Sequence, residues 1–511
     1  MSAVVSVAAN GFAADKVAGK RPNILICVAD DAGHASAYGT KWVSTPVFDR
    51  VARDGVLMNH AYTCNAKSAP SRASMLTGRN SWQLEEAGNH WPAFPLKFKT
   101  YPEVLVEKGY VVGYTGKGWG PGVALNADST ERRLTGKPWN KIKCVPPTTG
   151  INKIDYVANF KAFLEKRDGS KPFCFWYGAR EPHRRYEYRS HERFGKQISD
   201  IDSVPPYWPD NETVRHDMLD YAVEIEYFDT QLGAMLQMLE QAGELDNTIV
   251  MVLSDHNMPF PRCKGQDYYE SVHIPMAVMW RDGIVNPGRR LDENICVIDI
   301  VPTLFDAIGV RESDTGMMPV TGRSFMDLLK DYDSGVDRDF VLLGRERHDV
   351  GRPDDQGYPI RGLIRGDYLY IRNYEPGRWP ACNPETGYMD VDGSPTKTEV
   401  LKTRHDPATR HFWELSFGKR DAEELYNIKT DPACVNNLIG DSAMKPLATS
   451  MAVEMESRLK SEGDPRMSGH GDVFDRYPNQ CPARQFYRRW KAGERNIPHA
   501  WINDSDFETI E

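Results

Sequence analysis

The sequence predicts an α/β protein in which a large mixed, mostly parallel sheet has helices on both faces, followed by a smaller C-terminal α+β domain with an antiparallel sheet. Short, continuous apolar runs at 23–28, 173–177 and 248–253 are typical of strands buried on both faces of a parallel sheet. Segments with helical patterns separate these runs. Beyond residue 340 the pattern changes to closely spaced strands, two of them joined by a hairpin-type turn at Gly366-Asp367.

The individual elements follow from the same patterns in chain order. Besides the three apolar runs, strands are predicted at 56–61, 110–115, 274–279, 340–343 and 363–373. Helices are predicted at 45–55, 70–77, 101–108, 154–164, 214–242 and 443–460, and another opens within 297–304. A polar segment at 331–339 predicts a domain boundary. The predicted division is a leader at 1–20, an N-terminal domain at 21–335, a C-terminal subdomain at 336–467 and a surface tail at 468–511.

The composition narrows the class of protein. With 40% hydrophobic and 26% charged residues, the 511-residue chain has ordinary globular values. The net charge of −9 disfavours nucleic-acid binding, which depends on basic surface, so an anionic ligand must be held by a local basic pocket. Nine scattered cysteines without a C-x-x-C pair argue against a zinc ribbon and leave one or two disulfides open.

The sequence also bears on location. No apolar run is long enough to span a bilayer. Residues 1–14 are small and apolar and end in Phe12-Ala13-Ala14, like the end of a signal peptide, although the first positive charge comes only at Lys16. We therefore expect a periplasmic or secreted protein. The oligomeric state stays open.

Two adjacent carboxylates, Asp30 and Asp31, directly follow the first predicted strand. Carboxylates so close together repel each other and gain little unless a cation lies between them. The pair therefore predicts a metal site at the carboxyl end of this strand. A solvated acidic turn is the alternative for this segment taken alone.

The segment from Cys64 to Arg79 has the layout of a small nucleophile placed just ahead of a helix. Pro70 suits the first helical turn and Gly78 can end the helix. Ser68 would lie near the positive end of the helix dipole, with Arg72 one turn further on and able to face it. This arrangement suits an anion. A serine-rich N-cap in front of an ordinary short helix is the alternative.

The stretch from Ser68 to Gly78 resembles the signature C/S-x-P-x-R-x-x-x-x-T-G of the type I sulfatases, which belong to the alkaline phosphatase superfamily. In this family the first residue is oxidised to formylglycine, so the resemblance implies formylglycine at Ser68 and a sulfatase-maturing enzyme as partner. Cysteine is commoner at this position. The serine implies either a serine-type enzyme matured by an anaerobic radical oxidase or a replaced cysteine, and the sequence does not separate them.

The ends of other predicted strands supply the remaining residues that the resemblance implies. The implied metal ligands are Asp30, Asp31, Ser68, Asp255 and His256, around calcium, with magnesium as the alternative. The implied catalytic residues besides Ser68 are Arg72, Lys117 and Lys264 around the sulfate and His183 as the acid that protonates the leaving group. Trp119 stands two residues after Lys117, where many sulfatases have a histidine, so that histidine has no counterpart here.

The resemblance implies hydrolysis of sulfate groups from sulfated saccharides. Short strings around Lys117, His183 and Asp255 resemble those of the heparan N-sulfatases, which implies N-sulfoglucosamine as substrate. The alternatives are an O-sulfatase for galactose or N-acetylglucosamine of mucin or algal glycans, a phosphoesterase of the same superfamily, and a non-catalytic glycan-binding pseudo-sulfatase. Candidate substrate-binding residues are His90, Arg184, Arg345, Glu346 and His348, and a solvated charge run is the alternative for the last three.

Overall fold

The structure is a computed structural model that describes residues 21–508. The predicted leader at 1–20 lies outside the described residues. The strands are β1 Asn23–Ala29, β2 Val56–Tyr62, β3 Val111–Gly116, β4 Lys137–Pro138, β5 Phe173–Gly178, β6 Thr248–Ser254, β7 His273–Met279, β8 Arg289–Cys296, β9 Phe340–Arg345, β10 Ile360–Arg365, β11 Tyr368–Asn373 and β12 Glu423–Asn427. The α-helices are α1 Pro46–Asp54, α2 Ser68–Thr77, α3 Tyr101–Glu107, α4 Tyr156–Lys166, α5 Glu212–Gln241, α6 Tyr269–Val272, α7 Ile300–Ile308, α8 Met326–Leu329, α9 Pro395–Lys402, α10 Arg410–Phe417, α11 Lys445–Ser461, α12 Val473–Arg476 and α13 Phe486–Lys491.

The larger sheet has eight strands in the order β4-β3-β5-β1-β6-β7-β2-β8. Strand β1 pairs in parallel with both β5 and β6. Strand β7 pairs antiparallel with β6 and β2 and so runs opposite to the rest of this sheet. The carboxyl ends of the other strands therefore meet at one edge, which is where open α/β sheets gather their functional residues.

Helices cover both faces of this sheet, because successive side chains of a strand point to opposite faces. On one face, Leu25 and Cys27 belong to an apolar cluster with α1, α4 and α5. On the other, Ile24, Ile26 and Val28 belong to a cluster with α2, α3 and α7. The predicted mixed, mostly parallel sheet with helices on both faces is confirmed.

The smaller sheet is antiparallel, in the order β12-β11-β10-β9. Leu342 and Leu363 on one of its faces pack against Met451 and Met455 of α11. The two sheets are directly linked, since the Gly344 amide of β9 donates to the Cys64 carbonyl just ahead of α2, at 2.9 Å. This link places the end of β9 beside the segment that leads to Ser68.

Strands β4, β8 and β12 were not among the elements predicted from the sequence. Strand β8 was not predicted because it lies at the sheet edge and its first half, Arg289 to Glu293, is polar apart from the buried Leu291, with Arg290 and Asp292 exposed. All nine cysteines lie within the described residues and are free, so the disulfides left open by the sequence are not formed in this structure. Among residues 21–508, no helix combines the length and apolar character needed to cross a membrane.

Candidate active site

Asp30 and Asp31 follow β1, and Asp255 and His256 follow its neighbour β6, at the edge where the strands end. The register of the two strands pairs Ala29 with Ser254, so the next residues of each chain segment are neighbours. The Asp31 amide donates to Asp255 Oδ1 at 3.1 Å. Asp31 adopts a positive φ of 75°, which turns the chain sharply at this point. Strand pairing thus brings together the two acidic segments that the sequence singled out.

One candidate metal site is formed by Asp31, Asp255 and His256, whose ligand atoms all lie within 4.8 Å of one another. The Nδ1 of His256 lies 2.9 Å from the Asn257 carbonyl oxygen, which only accepts, so Nδ1 is the donor and Nε2 has a free lone pair. This Nε2 lies 2.8 Å from Asp31 Oδ1, a buried oxygen without a hydrogen-bond donor in the described structure. Two acceptors that face each other in a buried site fit a cation between them.

Ser68 is the first residue of α2 and points at this donor set. Its Oγ donates to Asp30 Oδ1 at 3.1 Å and lies 3.4 Å from His256 Nε2. The whole of α2 is buried, with Pro70 in its first turn, and Gly78 ends it in the left-handed conformation at φ 66°. The predicted end of the helix at Gly78 is confirmed. The helix begins at Ser68, two residues before the predicted start at Pro70. The helix N-terminus favours negative charge at this place.

Arg72 lies one turn along α2 from Ser68 and binds two of the acidic residues. Its Nε donates to Asp255 Oδ2 at 2.8 Å and its Nη2 to Asp30 Oδ1 at 3.1 Å. Its Nη1 donates to the carbonyl oxygens of Lys117 and Gly118, at 3.1 and 2.9 Å. The guanidinium was predicted to face an anion; the structure instead commits it to two carboxylates and two carbonyls. It therefore positions the acidic pair and the lysine loop.

Two lysines are paired with the two acidic residues that follow β1. Lys117 Nζ lies 2.7 and 2.8 Å from the two oxygens of Asp30. Burial alone would raise the pKa of Asp30, but Lys117 and Arg72 outweigh it and hold that pKa well below its ordinary value. Lys264 Nζ is ion-paired with Asp31. Each ammonium group could also bind an anion that enters the site beside its carboxylate partner.

A glycine at 116 lets the lysine loop approach β5 closely. Gly116 has a φ of 79°, and a Cβ built on it would lie 1.9 Å from the Gly178 carbonyl oxygen. Trp119 in the same loop donates to the Ala69 carbonyl at 3.1 Å and packs edge-on against Phe94. This tryptophan forms a wall of the site in place of the missing histidine.

His183 faces the site from the segment after β5. Its Nδ1 lies 2.8 Å from the Arg184 carbonyl oxygen and donates to it, so Nε2 is the nitrogen that can exchange a proton. This Nε2 lies 3.9 Å from Asp31 Oδ2. Together with Asp30, Lys117, Trp119 and Arg180, His183 lines a cavity of about 550 Å³.

Two of the five candidate substrate-binding residues have contacts that link them to the site. His90 Nδ1 lies 3.4 Å from Asp349 Oδ1, and the other oxygen of Asp349 pairs with Lys67 Nζ at 2.7 Å, next to Ser68 in sequence. Burial lowers the pKa of His90 to about 4, against the opposing effect of Asp349, so this imidazole is neutral near pH 7. Arg184 lines the 550 Å³ cavity, but its guanidinium is held by both oxygens of Asp217, at 2.7 and 2.9 Å.

The other three candidates lie in the interior. Arg345 pairs with Asp390 at 2.5 Å and Glu346 pairs with Arg361 at 2.7 Å, all of them buried. His348 donates from Nε2 to Asn65 Oδ1 at 2.9 Å. The strand end that was predicted to reach over the site with sugar-binding groups is instead a buried network that fixes the second sheet against the segment before Ser68.

Sequence reasoning missed Lys67, Asp349 and Asp392. Asp392 Oδ2 lies 3.2 Å from Lys264 Nζ. One oxygen of Asp392, one oxygen of Asp31 and one ring nitrogen of His183 lie within 4.8 Å of one another. Asp349 and Asp392 lie in irregular segments that have no periodic pattern to place them. The run Asp390-Val391-Asp392-Gly393 is a weak signal that could have identified one of them.

The chain is similar to known sulfatases in sequence and in fold. The profile of the Sulfatase family matches residues 22–310. The human N-sulphoglucosamine sulphohydrolase is 26% identical over 454 residues, covering 80% of this chain and 86% of that protein. An ulvan-active sulfatase from Formosa agariphila is 25% identical over 498 residues, covering 87% of this chain and 76% of that protein. A protein solved in complex with its substrate, D-glucosamine-2-N,6-O-disulfate, shares the fold with a TM-score of 0.60 and 20% identity, over 87% of this chain and 99% of that one.

Proposed function

Because the chain belongs to the sulfatase family and is a sulfate ester or sulfamide hydrolase, we propose that it removes the N-linked sulfate of glucosamine units in glycosaminoglycan-type saccharides. The observation on which this proposal depends most is Ser68 Oγ, 3.1 Å from Asp30 and beside the Asp31–Asp255–His256 donor set. The similarity to the human N-sulphoglucosamine sulphohydrolase supports the choice of substrate.

We propose formylglycine at residue 68 and calcium, with magnesium as the alternative, as the groups that complete the site. Oxidation of Ser68 would supply a hydrated aldehyde with two hydroxyls, one to attack sulfur and the other to expel the bound sulfate as the aldehyde re-forms. Asp30, Asp31, Asp255 and His256 would hold the cation, which supplies charge stabilisation at a sulfate oxygen. The unpartnered Asp31 Oδ1 and the free lone pair of His256 Nε2 support this fit.

The remaining side chains divide the work on the sulfate group. Lys117 and Lys264 neutralise the charge that grows on its oxygens in the transition state. Arg72 keeps Asp30 and Asp255 in place beneath them through its two carboxylate contacts. His183 Nε2 delivers a proton to the departing nitrogen or oxygen, while the hydrogen bond of Nδ1 to Arg184 fixes the ring.

The proposal also includes where the protein matures and works. We propose a sulfatase-maturing enzyme as the partner that oxidises residue 68 and a periplasmic or extracellular location in which the sulfated saccharide is met. A second candidate substrate is an O-sulfated sugar, and the similarity to the ulvan-active sulfatase favours it.

The test is sulfate release by the full chain after co-expression with a radical maturase. The substrates are N-sulfoglucosamine, glucosamine 6-sulfate, galactose 6-sulfate and 4-nitrophenyl sulfate, with free sulfate measured by ion chromatography. We expect N-sulfoglucosamine to give the highest kcat/KM among the sugars. Release of phosphate from 4-nitrophenyl phosphate at a higher rate than sulfate from any of these substrates would contradict the proposal.

Replacing His183 with alanine should slow natural substrates far more than an activated one. A sugar amine or alkoxide is a poor leaving group that needs the proton, and positioned proton transfer contributes about 10²- to 10⁴-fold. We expect a loss of kcat/KM in this range for the sulfated sugar. For 4-nitrophenyl sulfate, whose phenolate leaves without help, we expect less than about 10-fold. Equal losses on both substrates would contradict an acid role for His183.

A further inference from the structure

Asp392 is a buried carboxylate on the leaving-group side of the site that the proposed reaction does not yet use. Its side chain is 8% exposed, and Oδ2 lies 3.2 Å from Lys264 Nζ. One carboxylate oxygen of Asp392 lies within 4.8 Å of both a His183 ring nitrogen and an Asp31 oxygen. In the described structure the ion pair with Lys264 is the one polar contact of the Asp392 carboxylate at hydrogen-bond distance, so a buried carboxylate that can accept several hydrogen bonds has capacity left.

The neighbours of Asp392 restrict what it can bind. The Lys264 ammonium group is shared between Asp392 and Asp31, and its contact with Asp31 is the shorter one. The Asp392 carboxylate can therefore accept a further hydrogen bond. A ring nitrogen of His183 and an oxygen of Asp31 also lie within 4.8 Å of an Asp392 oxygen, and Nε2 is the His183 nitrogen left free by the Nδ1 hydrogen bond. A ligand group bound here therefore has to be a donor, and it lies beside the nitrogen that gives up a proton to the leaving atom.

The leaving atom differs between the two kinds of substrate. In a sulfamate the scissile nitrogen has a hydrogen that can be donated, whereas in a sulfate ester the scissile oxygen has none. A buried acceptor that meets an N–H is satisfied, but the same acceptor facing an ester oxygen loses its partner and repels it. The side of the site next to His183 is thus built for a nitrogen leaving group.

We propose that Asp392 accepts a hydrogen bond from the scissile N–H of an N-sulfated amino sugar and so selects N-sulfate over O-sulfate. This inference rests on the proposed sulfatase function and adds the residue that chooses between its two candidate substrates. Asp392 touches the substrate at its leaving nitrogen, while Lys117 and Lys264 stay with the sulfate oxygens. The segment between β11 and β12 thus contributes one residue, Asp392, to the site.

The test compares Asp392→Ala and Asp392→Asn with the unchanged chain, all matured in the same way. Each is assayed on N-sulfoglucosamine, glucosamine 6-sulfate and 4-nitrophenyl sulfate. For Asp392→Ala we expect kcat/KM on the N-sulfated sugar to fall about 10- to 200-fold, since one lost hydrogen bond to a charged group has this size. On the other two substrates we expect a smaller loss, below about 10-fold, because neither has a scissile N–H and only the ion pair between Asp392 and Lys264 is lost. Asp392→Asn retains a carbonyl acceptor of the same size and should recover part of the loss.

The outcomes separate this inference from its premise. Equal losses of Asp392→Ala on all three substrates would show that Asp392 acts only through Lys264, and would overturn the inference while leaving the sulfatase function intact. A wild-type preference for glucosamine 6-sulfate would do the same. No sulfate from any substrate by the matured wild type would overturn both. Thermal unfolding shows whether each variant is folded. If Asp392→Ala is not, Asp392→Asn is used instead: a lower ratio of N-sulfoglucosamine to glucosamine 6-sulfate activity than in the wild type supports the inference, and an unchanged ratio overturns it.

Discussion

Replacing Ser68 with alanine is expected to abolish sulfate release, with kcat falling on the order of 10⁴-fold or more, as for other enzymes that lose their nucleophile. Ser68 Oγ is the hydroxyl that points at Asp30 and His256, so its loss removes the atom that attacks sulfur. The fold should survive, because alanine is the best helix former and Ser68 makes no cap hydrogen bond at the start of α2.

A matched control is Ser74→Ala, a buried serine of the same helix that lies outside the ion-pair network. It should stay within about 3-fold of the wild type, as expected for a change that only trims a hydroxyl. Mass analysis of the digested protein provides the second readout: the peptide that contains residue 68 should lose two hydrogens when the chain is co-expressed with a radical maturase, and the same peptide of Ser68→Ala should not. Activity of unmodified protein equal to that of the modified protein would contradict the formylglycine proposal.

The variant Ser68→Cys tests which maturation route the site accepts. A cysteine-oxidising maturase converts cysteine to the same formylglycine, so the matured variant should regain activity that Ser68→Ala never shows. If the cysteine variant stays inactive although its mass shows conversion, the aldehyde is not sufficient and the proposal fails.

The buried strands could be predicted to within one or two residues because both of their faces are covered. Strands β1, β5 and β6 each read as a continuous apolar run, so the pattern fixes their existence and their ends. The acidic segments at their carboxyl ends then have to meet, since parallel neighbours finish at the same edge. Strand β8 escaped prediction because an edge strand with polar, partly exposed residues does not show that pattern.

The rest of the site could not be predicted because it depends on contacts between distant irregular segments. Asp392 reaches Lys264 from a loop more than a hundred residues away. Conversely, Arg345 and Glu346 look like surface charges in sequence, whereas the structure buries them in ion pairs with Asp390 and Arg361. A charge run at a strand end predicts a site only if its partners are known, and pairing across the fold is not visible in one sequence.

The second large effect is expected on metal removal. Chelation should abolish sulfate release, and added calcium should restore it, because the donor set of Asp31, Asp255 and His256 leaves two acceptors facing each other at 2.8 Å. Binding to the folded state alone also raises the free energy of unfolding, by about 2.7 kcal/mol when the free ion is at 100 times its Kd. Thermal unfolding of the chelated chain with and without calcium measures this increment, and magnesium is the comparison ion.

His256→Ala distinguishes a ligand from an ordinary buried histidine. Removing a ligand should remove most of the calcium-dependent increment in the free energy of unfolding, whereas removing a histidine that does not bind the ion should leave that increment in place. His273→Ala is the matched control. His273 lies on β7, and its Nε2 donates to the Asn59 carbonyl at 2.9 Å. Its loss should lower the stability of the metal-free and the calcium-bound protein equally, so the calcium-dependent increment should not change. An increment of equal size in wild type and His256→Ala would place the cation elsewhere and would remove the main support for these ligands.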